Sequence, residues 1–339
     1  MFDGSETATA AAPASLAPHR PGPPIDNAES QPDVGDTSSS VAGLAAWRWV
    51  PYALATAFLV VYLVLALARW HRMASPSWDL SIFVQTVRGY ASFDAPIVDI
   101  KGPGFHQLGD HFSPLLAVLA PFYRAFPSPV TLLVAQAVLL AMSIVPISRI
   151  GIRLLGLPTG VAIGGSYGLA WGIQSALDVE FHEYALAVPI LAFALEALLR
   201  ERWRVAVLWT VALLLVKEDL GLTVAAMGAY LAIRGQRRYG AVTAVIGVVG
   251  FVLIMWVAIP SFNTEGTYAY WGNLGEDGST AADIAGQLIS LPLHLVSPSI
   301  KLETLFLLGA VTGFIALRSP FMLLTAPTIA WRFISSNDG

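Results

Sequence analysis

Apolar runs alternate with short polar breaks along almost the whole chain. Roughly 20 apolar residues cross a bilayer as a helix, and the run over 50–68 meets that length, with Trp47, Trp49 and Trp70 placed as interfacial anchors. Further runs follow over 130–147, 161–177, 185–199, 220–233, 241–259, 302–317 and 321–334. The triplet Lys217, Glu218 and Asp219 interrupts one overlong run, so it predicts two short helices of about 13 to 16 residues meeting at a turn. The segment 112–126 is too short and too rich in proline for a span and reads as a helix lying in the interface. Spacings such as Gly160-x-x-x-Gly164 and Gly164-x-x-x-Gly168 predict close helix packing. The pattern predicts an all-α, polytopic integral membrane protein of about nine transmembrane helices plus outer interfacial helices.

Charge orients these runs. Arg149 and Arg153, then Arg200, Arg202 and Arg204, then Arg234, Arg237 and Arg238, each follow an apolar run, and the positive-inside rule makes all three clusters cytoplasmic. The polar stretches over about 70–129, 178–184, 217–219 and 260–300 then fall on the outer side, the last with an amphipathic stretch over 281–296. Counting 112–126 as a span instead would put Asp79 and His182 on opposite sides. Residues 1–46 are rich in Pro, Ala, Ser and Asp and lack the basic and apolar regions of a signal peptide, which predicts a disordered cytoplasmic tail ahead of a transmembrane domain over 47–339. The expected location is a cell membrane, multi-pass, with the N-terminus cytoplasmic.

Composition narrows the chemistry. The 339 residues are 55% hydrophobic and only 12% charged, more apolar than one globular core can hide. Cysteine is absent, which removes disulfides, thiolate metal sites and cysteine nucleophiles. There is no phosphate-binding G-x-x-x-x-G-K-[ST] loop and no basic, aromatic-interleaved surface for nucleic acid, so the lipid bilayer is the expected partner.

Against that background the polar stretch over 78–114 stands out. It gathers Asp79, Asp94, Asp99, Lys101, His106, Asp110 and His111, and ionisable groups beside membrane spans point to a site. Asp79, flanked by Trp78 and Leu80, is a candidate general base at the membrane edge; the alternative is an N-cap for the following helix. Asp178, Glu180 and His182, with His106, Asp110 and His111, offer imidazole and carboxylate ligands for a divalent metal ion, although no compact motif such as H-E-x-x-H occurs. Lys217, Glu218 and Asp219 in their apolar setting either contact a lipid-linked phosphate and sugar hydroxyls or form a structural ion pair closing the turn. Lys101 is a second candidate for phosphate.

The segments Asp79-x-x-Ile82-Phe83-x-Gln85, Gly109-Asp110-His111-Phe112-Ser113-Pro114, Asp178-x-x-Phe181-His182 and Lys217-Glu218-Asp219 resemble the bacterial and archaeal membrane family catalogued as domain of unknown function 2079. The resemblance runs from about residue 55 onward; its motifs include Gln85 and His111, which with His106 of the polar stretch join Lys101, Lys217, Glu218 and Asp219 as candidate substrate-binding positions. Members of that family usually continue past the point where this chain ends, which implies a C-terminal truncation. The family is in turn distantly similar to the GT-C glycosyltransferase superfamily, whose members take sugars from polyprenyl-phosphate carriers. That similarity implies a GT-C-like fold, an essential acidic residue matching Asp79, and a second matching Asp178 or Glu180. The usual acidic pair is here a single Asp, because Trp78 and Leu80 flank Asp79.

Three functions fit these features. One is a GT-C-type glycosyltransferase using a polyprenyl-phosphate sugar donor on the outer face, with Asp79 as catalytic base. Another is a transporter or lipid flippase coupled through Lys217, Glu218 and Asp219. The last is a non-catalytic envelope scaffold.

Overall fold

The computed structural model describes residues 47–73, 78–269 and 299–334. The expected tail over 1–46, the amphipathic stretch over 281–296 and most of the expected outer segment over 260–300 lie outside these. Among the described residues the fold is all-α, with a lone β-bridge between Ile97 and His106.

Helix α1 (Val50–His71) leads through a polar connection to α2 (Asp79–Ala91). After 3-10 turns at Asp99–Lys101, Gln107–Gly109 and Pro114–Leu119 come the short α3 (Ala120–Ala125) and the long α4 (Pro129–Leu155). Ser128 caps α4, its Oγ accepting from the Val130 amide at 3.3 Å, and Pro129 sits at the first turn, where a missing N–H costs nothing. Helices α5 (Leu157–Gly168), α6 (Trp171–Asp178) and α7 (Tyr184–Leu199) follow, then α8 (Trp203–Ala212), which tightens into 3-10 geometry over Leu213–Leu215. Helix α9 (Leu220–Ile233) packs along α10 (Arg237–Leu253), which passes through a π-helical stretch, Ile254–Ala258, into α11 (Ile259–Phe262). Helices α12 (Ser299–Val311) and α13 (Met322–Ile334) close the described chain, and α13 packs on α9.

Among the described residues, three helical stretches are long and apolar enough to cross a membrane: Val50–His71, Pro129–Leu155 and Arg237–Phe262. Pro114–Ala125, Tyr184–Leu199, Trp203–Leu215 and Leu220–Ile233 are apolar but shorter. The break expected at Lys217 to Asp219 is present between the last two. The single helix expected over 161–177 is not: it divides at Leu169 and Ala170 into α5 and α6. Gly164, Gly165 and Gly168 weaken the helix there, and Tyr62 donates its hydroxyl to the Gly168 carbonyl at 2.7 Å, satisfying an acceptor that the break releases.

The expected close packing is visible at α5. A side chain on Gly160 would collide with the Ile152 backbone, and one on Gly164 with Ser148 of α4 and Leu54 of α1. A second glycine seam, not foreseen, joins α9 to α10: Gly221 and Gly228 face Gly247 and Ala244, while Gly240 and Gly247 face Ala232 and Ala225. Outward faces stay apolar, with Val60, Val61, Val64 and Leu65 on α1 and Val245, Val248, Val249 and Val252 on α10 exposed. Such unbroken apolar surface belongs against lipid tails.

Candidate functional site

One end of the bundle collects ionisable side chains from separate stretches of sequence. Beneath them lies a hydrophobic layer including Leu80, Phe83, Leu116, Leu132, Phe181 and Val216, which fixes the entry to α2, the start of α4 and the turn after α8 relative to one another. Trp78, not Asp79, occupies the N-cap of α2 and makes no side-chain capping bond, so Asp79 lies in the first helical turn. Its Oδ2 stands 3.9 Å from Nε2 of His182, with the Asp79 side chain 44% exposed. On the other side of that imidazole, Nδ1 lies 2.6 Å from Glu183 Oε2. Glu183 Oε1 in turn accepts from Lys217 Nζ at 2.6 Å. Lys217 also stands over the Tyr184 ring, and the Tyr184 hydroxyl donates to Asp219 Oδ2 at 2.9 Å.

The neighbouring carboxylate, Glu218, faces the other way. Its Oε1 lies 2.8 Å from His111 Nδ1, and its Oε2 accepts the Phe112 amide at 3.1 Å. Tyr268 donates its hydroxyl to Oε1 at 3.4 Å. His111 Nε2 is 3.9 Å from Asp110 Oδ2, and Asp110 pairs with Lys101. Asp79, His182, Glu183 and Lys217 thus form one alternating chain, and Glu218, His111, Asp110 and Lys101 form another. The two join at consecutive residues, Lys217 and Glu218. Their shared centre is deeply buried, with Glu183, Glu218 and Asp219 each 1% exposed. Buried charge survives only where partners compensate it, and alternation supplies those partners.

The 95–112 loop roofs this centre. His106 stacks on Phe262 with ring centroids 4.6 Å apart, and Asn263 donates to the Gly109 carbonyl at 2.9 Å. Gly109 sits so close to the Phe262 and Asn263 backbone that no larger residue fits. Gln85 Oε1 accepts the Ile100 amide at 3.4 Å, tying α2 to the loop.

Local environment sets the protonation of the outlying groups. Burial and Lys217 oppose charge on the His111 imidazole, but Glu218 and Asp110 outweigh them and raise its pKa. Burial lowers the pKa of His106. Burial raises that of Glu180, with Arg69 opposing and Asp79 reinforcing. Glu180 adopts a left-handed backbone, φ 66°, and its carboxylate lines a small cavity beside Ala66, Arg69, Leu133, Gln136 and Leu177.

The expected site residues therefore divide. Asp79, Lys101, His111, Lys217, Glu218 and Asp219 converge with His182, whereas Gln85 and His106 hold the roof loop. Asp178 is drawn away to Arg69, at 3.0 Å, and Glu180 turns into its cavity. The expected metal ligands Asp178, Glu180 and His182 are not assembled around a common point, and among the described residues no group of three His, Asp or Glu side chains has metal-binding proximity. The helix-ending turn at Val179, φ -85° and ψ 12°, and the left-handed backbone of Glu180 separate them. Glu183 and Tyr184 are central, yet the sequence marked neither: both stand at the start of an apolar run, where a charge and a tyrosine read as interfacial residues.

Comparison with curated proteins and with solved structures gave no match. The family model described as predicted membrane protein (DUF2079) matches residues 69–338, a stretch that contains every member of both charged chains. An α-helical bundle with lipid-suited outer faces and a charged cluster at one end agrees with that description, and the chain belongs to this family of membrane proteins, DUF2079.

Proposed function

We propose that the protein is a membrane glycosyltransferase of the GT-C type, moving a sugar from a polyprenyl-phosphate donor to an acceptor hydroxyl on the outer face. The observation that carries this reading is the line Asp79, His182, Glu183: an accessible carboxylate 3.9 Å from an imidazole whose other nitrogen lies 2.6 Å from a buried carboxylate. In the reaction the acceptor hydroxyl loses its proton to Asp79 as its oxygen bonds to the anomeric carbon. The bond from that carbon to the phosphate oxygen breaks, and the polyprenyl phosphate leaves with the electron pair. His182 orients Asp79, and Lys217 fixes Glu183. Because Lys217 is matched to Glu183, the cation that meets the phosphate is Lys101, which is a quarter exposed and exchanges Asp110 for the donor.

The experiment is transfer from radiolabelled polyprenyl-phosphate sugars in vesicles. Asp79→Asn abolishes transfer while leaving insertion and melting temperature unchanged; full activity in that variant refutes the assignment.

A second reading, a proton-coupled transporter or flippase, is favoured by the row of ionisable side chains from Lys101 to Asp79, exposed at both ends and buried at Glu218, Lys217 and Glu183. It expects Glu218→Gln to stop substrate movement while Asp79→Asn retains it.

A further inference from the structure

A second ionisable cluster stands at the other end of the bundle. Gln136 of α4 belongs to the Asp79 end, where its Oε1 accepts the His182 amide at 3.0 Å. Arg149, further along the same helix, lies about 20 Å away at 1.5 Å per residue. There Glu196 of α7, 5% exposed, pairs with Arg149, and its Oε1 lies 2.8 Å from Arg200 Nη2 as a second ion pair. Arg149 also donates to the Tyr52 hydroxyl at 3.2 Å.

Two guanidinium groups share one carboxylate, so the cluster carries one net positive charge, and both arginines remain about a third exposed, at 30% and 28%. Measured from Pro129, Arg149 lies about 30 Å along α4, the thickness of the hydrocarbon core. Trp49 and Tyr52, exposed and 6.0 Å apart, mark the same level with the aromatic pair usual at an interface. At that level the nearest abundant anion is a lipid phosphate. Forked guanidinium groups match phosphate oxygens in geometry as well as charge, and basic pockets between helices are where anionic headgroups settle.

We propose that Arg149 and Arg200, aligned by Glu196, bind the phosphate of an anionic phospholipid headgroup. Glu196 sets the cluster at a single positive charge, which one phosphodiester neutralises.

The test uses the full chain in neutral detergent. Melting temperature is followed as phosphatidylglycerol, phosphatidylcholine or inorganic phosphate is added to wild type, Arg200→Gln and Glu196→Gln. Phosphatidylglycerol stabilises the wild type more than phosphatidylcholine. Arg200→Gln leaves a neutral Arg149 and Glu196 pair, so its basal melting is retained while half-saturation by phosphatidylglycerol weakens roughly tenfold. Glu196→Gln moves the opposite way, melting lower without lipid and gaining more from phosphatidylglycerol. Equal stabilisation by the two lipids, an unchanged response in both variants, or the same shift from inorganic phosphate alone overturns the assignment.

Discussion

Lys217 and Glu183 are both almost fully buried and stand 2.6 Å apart, so neither charge survives alone without penalty. Removing one member of such a pair costs about 3–5 kcal/mol because the other is left uncompensated. Lys217→Met is expected to lose that much in unfolding titrations, and adding Glu183→Gln recovers most of it. His111 gives a pH signature. Its raised pKa means that its pairing with Glu218 contributes fully below the unfolded value of about 6.5, and the contribution fades as pH rises through the folded value. The melting-temperature gap between wild type and His111→Gln should therefore narrow from acid to alkaline pH. A gap constant across that range refutes the pairing as a source of stability.

At the scale of elements, the glycine seam between α9 and α10 makes a sharp contrast with an open position. A methyl group on Gly228 would stand 2.3 Å from the Ala244 backbone nitrogen, whereas one on Gly165 meets nothing within 4 Å. Gly228→Ala should lose about 1–3 kcal/mol through forced separation of the helices. Gly165→Ala should be neutral or gain slightly from helix propensity. Thermal melting of the two variants decides it. Hydropathy located most of these helices, because burial of long apolar runs is a one-dimensional property. It could not see the break at Leu169, which rests on Tyr62 reaching across from α1. Nor could it see that Glu183 would meet Lys217, since that contact depends on how α7 and the turn after α8 pack.

For the whole molecule, the sequence was most informative about which polar groups share one end. The parity of the runs and the arginine clusters led to the expectation that Asp79, His111, His182 and Lys217 share one side, and the fold brings these four together. The metal ligand set failed because proximity in sequence says nothing about which way a turn aims its side chains. Sidedness is directly measurable in a chain without cysteine. Single cysteines at Ser92 and Val179, both exposed, should label from outside intact cells, and one at Arg237, also exposed, should not. Labelling of Ser92 and Val179 from opposite sides would break the shared-end arrangement. The turn at Lys217 to Asp219 tops helices of unequal reach: α9 rises about 21 Å, while the neighbouring Arg237–Phe262 stretch rises about 39 Å. Transmembrane voltage falls mainly across the low-dielectric path, where 100 mV acts on one charge with about 2.3 kcal/mol. In a bilayer that the Arg237–Phe262 stretch crosses, a charged turn set below the end of that stretch would stand inside part of that drop, so the pairing of His111 with Glu218 is expected to respond to membrane potential as well as to pH.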